Sequence, residues 1–142
     1  MATSAFLGSQ TLLKIGNAAS PEVFTTIGEV TSIGAIGQRN DLVEVTHMLS
    51  TAKEYIGGLP DGLEMDIVCN YLPTNVQQQT AYFKVAAGTV ANFRMVMPTG
   101  GSSLTFSFAA LVIGWTVGPL TPNEAYKVTF TLKISGAISG PN

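Results

Sequence analysis

The chain has 142 residues, 46% of them hydrophobic and only 11% charged, with seven basic residues, nine acidic ones and a net charge of −2. That length provides one domain with a core of its own, and the charge balance excludes the basic runs or overall positive charge on which nucleic-acid binding rests. Ordinary soluble domains carry roughly 25% charged residues, so the shortage here suggests that part of the surface is covered by other subunits.

The single cysteine, Cys69, has no partner for an intramolecular disulfide and reads as a small buried hydrophobe. The opening MATSAFLGSQTLLKIG lacks a basic region ahead of an apolar one, and no stretch is long and apolar enough to span a membrane. The expectation is a soluble product with no membrane insertion by this chain.

Taken in order, residues 1–21 form an N-terminal arm with at most one short strand and one apolar patch, Leu12, Leu13 and Ile15, expected to pack on a neighbouring subunit. Val23 to Ile36 is β-branched and Gly-punctuated, a strand with room for bulges, and GAIGQRND turns the chain into a second strand from Asp41 to His47. Residues 48–62, MLSTAKEYIGGLPDG, are a connection too long for a simple hairpin turn, and Met48, Leu49, Tyr55, Ile56 and Leu59 within it need something to dock on. From Leu63 to Tyr71, inward Leu63, Met65, Ile67, Cys69 and Tyr71 alternate with Glu64, Asp66, Val68 and Asn70, the period of a half-buried strand with an acidic outer face.

Leu72-Pro73-Thr74 ends that strand, Thr74 and Gln77 have the form of a capping box, and apolar spacing predicts one helix over 75–87 with Gln77 to Gln79 on its wet face. Phe93, Met95 and Met97 begin the C-terminal strands, and Pro98-Thr99-Gly100-Gly101 makes a turn. Leu104, Phe106 and Phe108 hold one phase, whereas Leu111, Ile113, Trp115 and Val117 hold the other, which predicts a bulge or bend near Ala109-Ala110 and a core role for Trp115. Tyr126, Val128, Phe130, Leu132 and Ile134 alternate cleanly in the last strand. Several strands, Gly/Pro turns, one side helix and no βαβ pattern predict a mainly β fold, a β-sandwich or barrel, in a single domain over residues 1–142.

Catalytic chemistry finds no foothold. With one histidine, His47, a His-based metal cluster is nearly excluded, and no G-x-S-x-G elbow surrounds any serine. Glu64 and Asp66 point to one face about 7 Å apart on an ideal strand, a spacing glycosidase carboxylates use, but no aromatic sugar platform accompanies them. Gly34-Ala-Ile-Gly37 lacks the Lys-Ser/Thr ending of a phosphate loop. The sequence therefore reads as a non-enzyme, with no cofactor, metal or catalytic residue.

Seven acidic residues against two basic ones fall between Phe24 and Tyr71. The same stretch, FTTIGEVTSI, then DLVEVTHMLSTAKEYIGGLPDG, then LEMDIVCNYLPTNVQQQTA, with the closing VTFTLKISGAI, resembles the major tail tube proteins of long, non-contractile-tailed (siphovirus-like) phages, over about Phe24 to Ile138. The resemblance implies a small β-sandwich that self-assembles into hexameric rings, stacked into a tube through whose acidic lumen the genome passes without specific binding. It implies that Glu29, Glu44, Glu64 and Asp66 face that lumen, and that the 48–62 loop contacts adjacent subunits and the neighbouring ring. It also implies tape-measure, tail-tip and tail-terminator partners, and a place in the virion tail after assembly in the host cytoplasm.

Two other readings stand beside it. The first is the tube subunit of a phage-derived bacteriocin or type VI secretion device, of similar fold and different cargo. The second is a monomeric β-sandwich ligand-binding module, which needs a concave aromatic cluster.

Overall fold

The computed structural model describes residues 8–17, 19–80 and 88–141. Among these, nine strands form in chain order: β1 (Leu12–Gly16), β2 (Phe24–Thr26), β3 (Val30–Ile33), β4 (Gln38–Glu44), β5 (Tyr55–Gly62), β6 (Glu64–Asn70), β7 (Val90–Pro98), β8 (Ser103–Val117) and β9 (Lys127–Ser139). Seven of them make one antiparallel sheet in the order β2-β1-β7-β8-β9-β6-β3, and β4 and β5 pair as a separate hairpin. The mainly β fold expected from the periodicity is the one observed.

The core follows from alternation. Met65, Ile67 and Cys69 on β6, Phe93 and Met95 on β7, Phe108, Ala110 and Val112 on β8, and Val128, Phe130, Leu132 and Ile134 on β9 are all buried in one cluster. One sheet can bury a single core on one face only by curling around it, and residues from β1, β6, β7 and β9 do meet at its centre, around Leu13, Ile67, Phe93 and Phe130. The Phe93 and Phe108 rings stack with centroids 5.9 Å apart, an arrangement worth about 1 kcal/mol beyond the area it buries.

Three expectations about the elements are corrected. The arm over 1–21 is not peripheral where it is described: Leu12–Gly16 is β1, paired with β7 and β2, so Leu13 (1% exposed) and Ile15 are core residues and only Leu12 (39%) points outward. Two inward residues in a five-residue strand are too few to reveal a period. Residues 1–7 of the arm lie outside the described residues. The supposed loop over 48–62 is half strand, with a turn of ten residues (45–54) and β5 from Tyr55, whose Gly-Gly and Pro content hid the β pattern. The expected Val23–Ile36 strand breaks at 27–29, where Glu29 adopts φ 49, because the segment leaves β1 and crosses to pair with β6.

Of the expected 75–87 helix, 76–80 are helical, Asn75 stands just before them, and residues 81–87 lie outside the described residues. Its cap is Asn75, whose Oδ1 accepts the Gln78 amide at 3.0 Å. Gln78 is fully buried, not on a wet face. Its Nε2 donates to the Gly28 and Asn70 carbonyls (3.1 and 2.9 Å), and its Oε1 accepts from the Leu72 amide at 3.0 Å, so it clasps the helix start to β6 and the β2–β3 crossing.

The expected phase change in β8 comes later than Ala109-Ala110: Phe108, Ala110 and Val112 are all buried in one phase and Ile113 is exposed, so of the two register shifts against β9, between Ser107 and Ala109 and between Val112 and Gly114, the second is the one that changes the phase. Past the second shift Trp115 and Val117 stand opposite Phe130 and Val128, on the core side, but at the end of the sheet, where Trp115 remains 46% exposed.

Candidate assembly surfaces

The β4–β5 hairpin leaves the sheet as a backward continuation of β6, since only Leu63 separates β5 from β6. Its root is tight. The Leu63 amide donates to the Gly37 carbonyl (3.0 Å), and Lys133 Nζ, on β9, donates to Asp61 Oδ1 (3.2 Å) and to the Gly62 carbonyl (2.5 Å). A Cβ on Gly62 would lie 2.6 Å from Ile134 Cβ, so the close approach of β5 to β9 requires glycine there.

Beyond the root both faces of the hairpin are wet and carry apolar side chains: Met48 is 100% exposed, Leu49 87%, Leu59 86% and Leu42 72%, and Val43, Tyr55 and Ile56 are also exposed. The tip does not fold these groups inward. Its interior is polar: Ser50 Oγ donates to Glu54 Oε2 (2.6 Å), the Glu54 amide donates to Thr46 Oγ1 (2.9 Å), and the His47 amide donates to Ser50 Oγ (3.1 Å). His47 Nε2 lies 3.4 Å from Glu54 Oε2. This knot of polar groups fixes the turn and leaves Met48 and Leu49 outside it.

The four carboxylates expected on one wall are not together. Glu64 and Asp66 share the outer face of β6, where Thr131 Oγ1 donates to Asp66 Oδ1 at 2.8 Å and Glu64 stands in register with Lys133. Glu29 is in the crossing between β2 and β3, and Glu44 is at the far end of β4, opposite Tyr55 on the hairpin. Lys133 is engaged by Asp61, so the carboxylates of β6 are not neutralised by that ion pair. The outer face of β1 and β7 is mixed. Lys14 and Arg94 are register partners there, with the Arg94 guanidinium 4.0 Å above the Phe24 ring, and Glu22 joins them, its Oε1 accepting from Asn92 Nδ2 at 2.8 Å. Sequence reasoning missed the Lys14–Arg94 pair because its two members lie 80 residues apart and meet only through strand pairing.

Among the described residues no group of three His, Cys, Asp or Glu side chains is placed to hold a metal, and no helix is long and apolar enough to cross a membrane. Cys69 is buried on β6, and desolvation pushes its thiol up to about 11.

No protein-family profile matches the chain, and a search of curated proteins finds no match. Solved structures do share its fold. A chain from the tail of an empty gene transfer agent particle, reconstructed with C6 symmetry, superposes with TM-score 0.72 at 18% identity over 95% of this chain and 98% of that one. A chain from the sheath/tube terminator of the extracellular contractile injection system PVC gives TM-score 0.76 at 9% identity over 99% and 100% of the two chains. The SPP1 tail tube gives 0.70 at 10% identity over 93% and 77%.

Proposed function

We propose that this chain is a structural tube subunit: copies close into rings, six to a ring, and the rings stack into a hollow tube. The observation that carries the reading is the β4–β5 hairpin, a rigid projection with Met48, Leu49, Leu59 and Leu42 held in water. Apolar side chains gathered on one exposed projection mark a surface that a neighbour covers. Support comes from the fold shared with tail and tube chains over nearly the full length. Head-to-tail contacts of this kind close around one axis and continue along it without limit.

Within this reading the tube belongs to a long, non-contractile phage tail, and it conducts DNA. Glu64 and Asp66 line the lumen from the outer face of β6, where a negative wall repels phosphates and prevents the counterion-releasing contacts that would hold the genome in place. Glu29 and Glu44, on separate elements, are weaker members of that wall. The subunit then resides in the virion tail after assembly in the host cytoplasm, with tape-measure, tip and terminator proteins as partners. The likeness to the PVC chain favours one second reading, the inner tube of a contractile device, which uses the same rings inside a sheath.

Negative-stain electron microscopy of the concentrated protein, paired with its mass in solution, is the test. Hollow tubes are expected. A protein that stays monomeric even when the tail-tip complex is supplied refutes the tube reading. Co-expression with sheath protein separates the two devices, since only a contractile tube acquires a coat.

A further inference from the structure

The strands that carry the hairpin also set its direction. β5, Leu63 and β6 follow one another, and β6 ends at Asn70, opposite Lys127 on β9. The hairpin turn, 45–54, therefore lies off one end of this line of strands, and the β8–β9 turn, 118–126, lies off the other. Residues 55–70 between them span about 50 Å as extended strand, so the two turns do not meet within one copy.

The second end is apolar. β7 pairs with β8 only as far as Val90, opposite Leu111, and β8 runs on past it to Val117. Trp115 and Val117 stand on the core side of that overhang and are nevertheless 46% and 42% exposed, and Leu120 and Tyr126, on the turn, are 63% exposed. Large apolar side chains gathered at one end of a domain mark an interaction surface. The only charge in the turn is Glu124, since Lys127, just after it, donates to Asn70 Oδ1 at 3.0 Å on the outer face of β6.

The hairpin turn is its counterpart. Met48 and Leu49 stand outside the polar knot, and of the two charges in 45–54 Glu54 is engaged by His47. Lys53 forms no ion pair among the described residues, and neither does Glu124.

We propose that the hairpin turn of one copy seats on the β8–β9 end of the next, Met48 and Leu49 packing on Trp115, Val117, Leu120 and Tyr126, with Lys53 facing Glu124. This rests on the tube reading and adds to it the surface that receives the hairpin. Because the two surfaces sit at opposite ends of one line of strands, each docking leaves a free turn and a free end, and the contact repeats along the strand direction without closing. It also accounts for a tryptophan that lies on the core side of β8 and is half exposed in the single subunit.

Trp115 is the only tryptophan, so it reports the contact in the unmodified protein. On tube formation its emission is expected to move to shorter wavelength and its quenching by acrylamide to fall. Tubes in which Trp115 is quenched as it is in the monomer overturn the docking. Leu120→Ser with Tyr126→Ser is expected to leave the monomer's melting temperature unchanged and to raise the critical concentration for tube formation by at least about ten-fold; a folded variant that assembles like the parent overturns the docking. Should that variant fail to fold, Leu49→Cys with Leu120→Cys provides a further measurement, since the fully buried Cys69 stays silent towards a short bismaleimide. A ladder of cross-linked oligomers is expected, because each copy then carries one thiol at each end. Tubes that yield only monomer overturn the docking and leave the tube reading standing. Absence of both tubes and ladder, with the tail-tip complex supplied, overturns the two together.

Discussion

Leu12 and Leu13 are adjacent in sequence and opposite in role, which makes them a test of whether β1 belongs to the core or to an external arm. Leu13 is 1% exposed, in register with Met95 and beside Ile67, Phe93 and Phe130, where the remaining void is only about 10 Å3. Leu13→Ala therefore opens a cavity that its neighbours have little slack to fill, and such truncations cost about 2–5 kcal/mol. At roughly 3 °C of melting temperature per kcal/mol for a domain of this size, a loss of about 10 °C is expected. Leu12 points to solvent, and Leu12→Ala stays within about 0.5 kcal/mol of the parent. Urea unfolding of dilute, monomeric protein, followed by Trp115 fluorescence, measures both. If Leu13→Ala is as mild as Leu12→Ala, or Leu12→Ala as severe as Leu13→Ala, the assignment of β1 to the core is wrong.

Met48→Ser with Leu49→Ser is expected to leave the monomer's melting temperature unchanged and to suppress tube formation, read as turbidity or pelleted protein at a concentration where the parent assembles fully; assembly at the parental concentration would exclude the tip from the contacts. Gln78→Ala strands the Leu72 amide and the Gly28 and Asn70 carbonyls, a loss of about 1–3 kcal/mol that denaturant titration detects, whereas Gln79→Ala serves as the mild control. Gly62→Ala drives a Cβ against the Ile134 carbonyl as well as its side chain, 2.8 and 2.6 Å away, so hydrogen exchange is expected to quicken through residues 38–62 before it changes in β9. Cys69 stays unlabelled by a thiol reagent at pH 8 until urea unfolds the chain. Because its pKa rises from 9.0 to about 11 on folding, its contribution to stability is intact below pH 9 and is lost as pH climbs towards 11, with the unfolded thiol ionising first.

How far the sequence could be read depended on how many residues each element has to show its period. In β6 and β9, long and strictly alternating, the buried set was legible residue by residue. In β8 the double phase announced an irregularity but set it near Ala109-Ala110 instead of between Val112 and Gly114, since the large Leu111 and Ile113 outweighed the small, buried Ala110, and the alternation could not say that Trp115 lies at the sheet's end, because exposure there depends on where neighbouring strands stop. β5 was hidden by Gly57, Gly58 and Pro60, residues that disfavour strands and are tolerated here because the hairpin has two open edges. Gln78 looked like one of three solvated glutamines, since no local pattern announces that three backbone groups from distant segments converge on it. Of the acidic residues, Glu64 and Asp66 share a face by local geometry alone, whereas the positions of Glu29 and Glu44 relative to it depend on the β2–β3 crossing and the hairpin, which no local period describes.

An isolated two-stranded hairpin is marginal in water, and this one has no core of its own. Two things hold its shape: the root clamped by Lys133, Gly62 and Leu63, and the polar knot of Ser50, Glu54 and Thr46 at the tip. Both are hydrogen-bonded devices that order the backbone without burying an apolar side chain, so the apolar surface is preorganised but unused in the single subunit. Preorganisation lowers the entropy lost on association, and the same exposed leucines that would favour non-specific aggregation are confined to a projection that only a matching surface can receive. The low charge of the chain follows from the same economy of surface: β8 carries no charged residue at all.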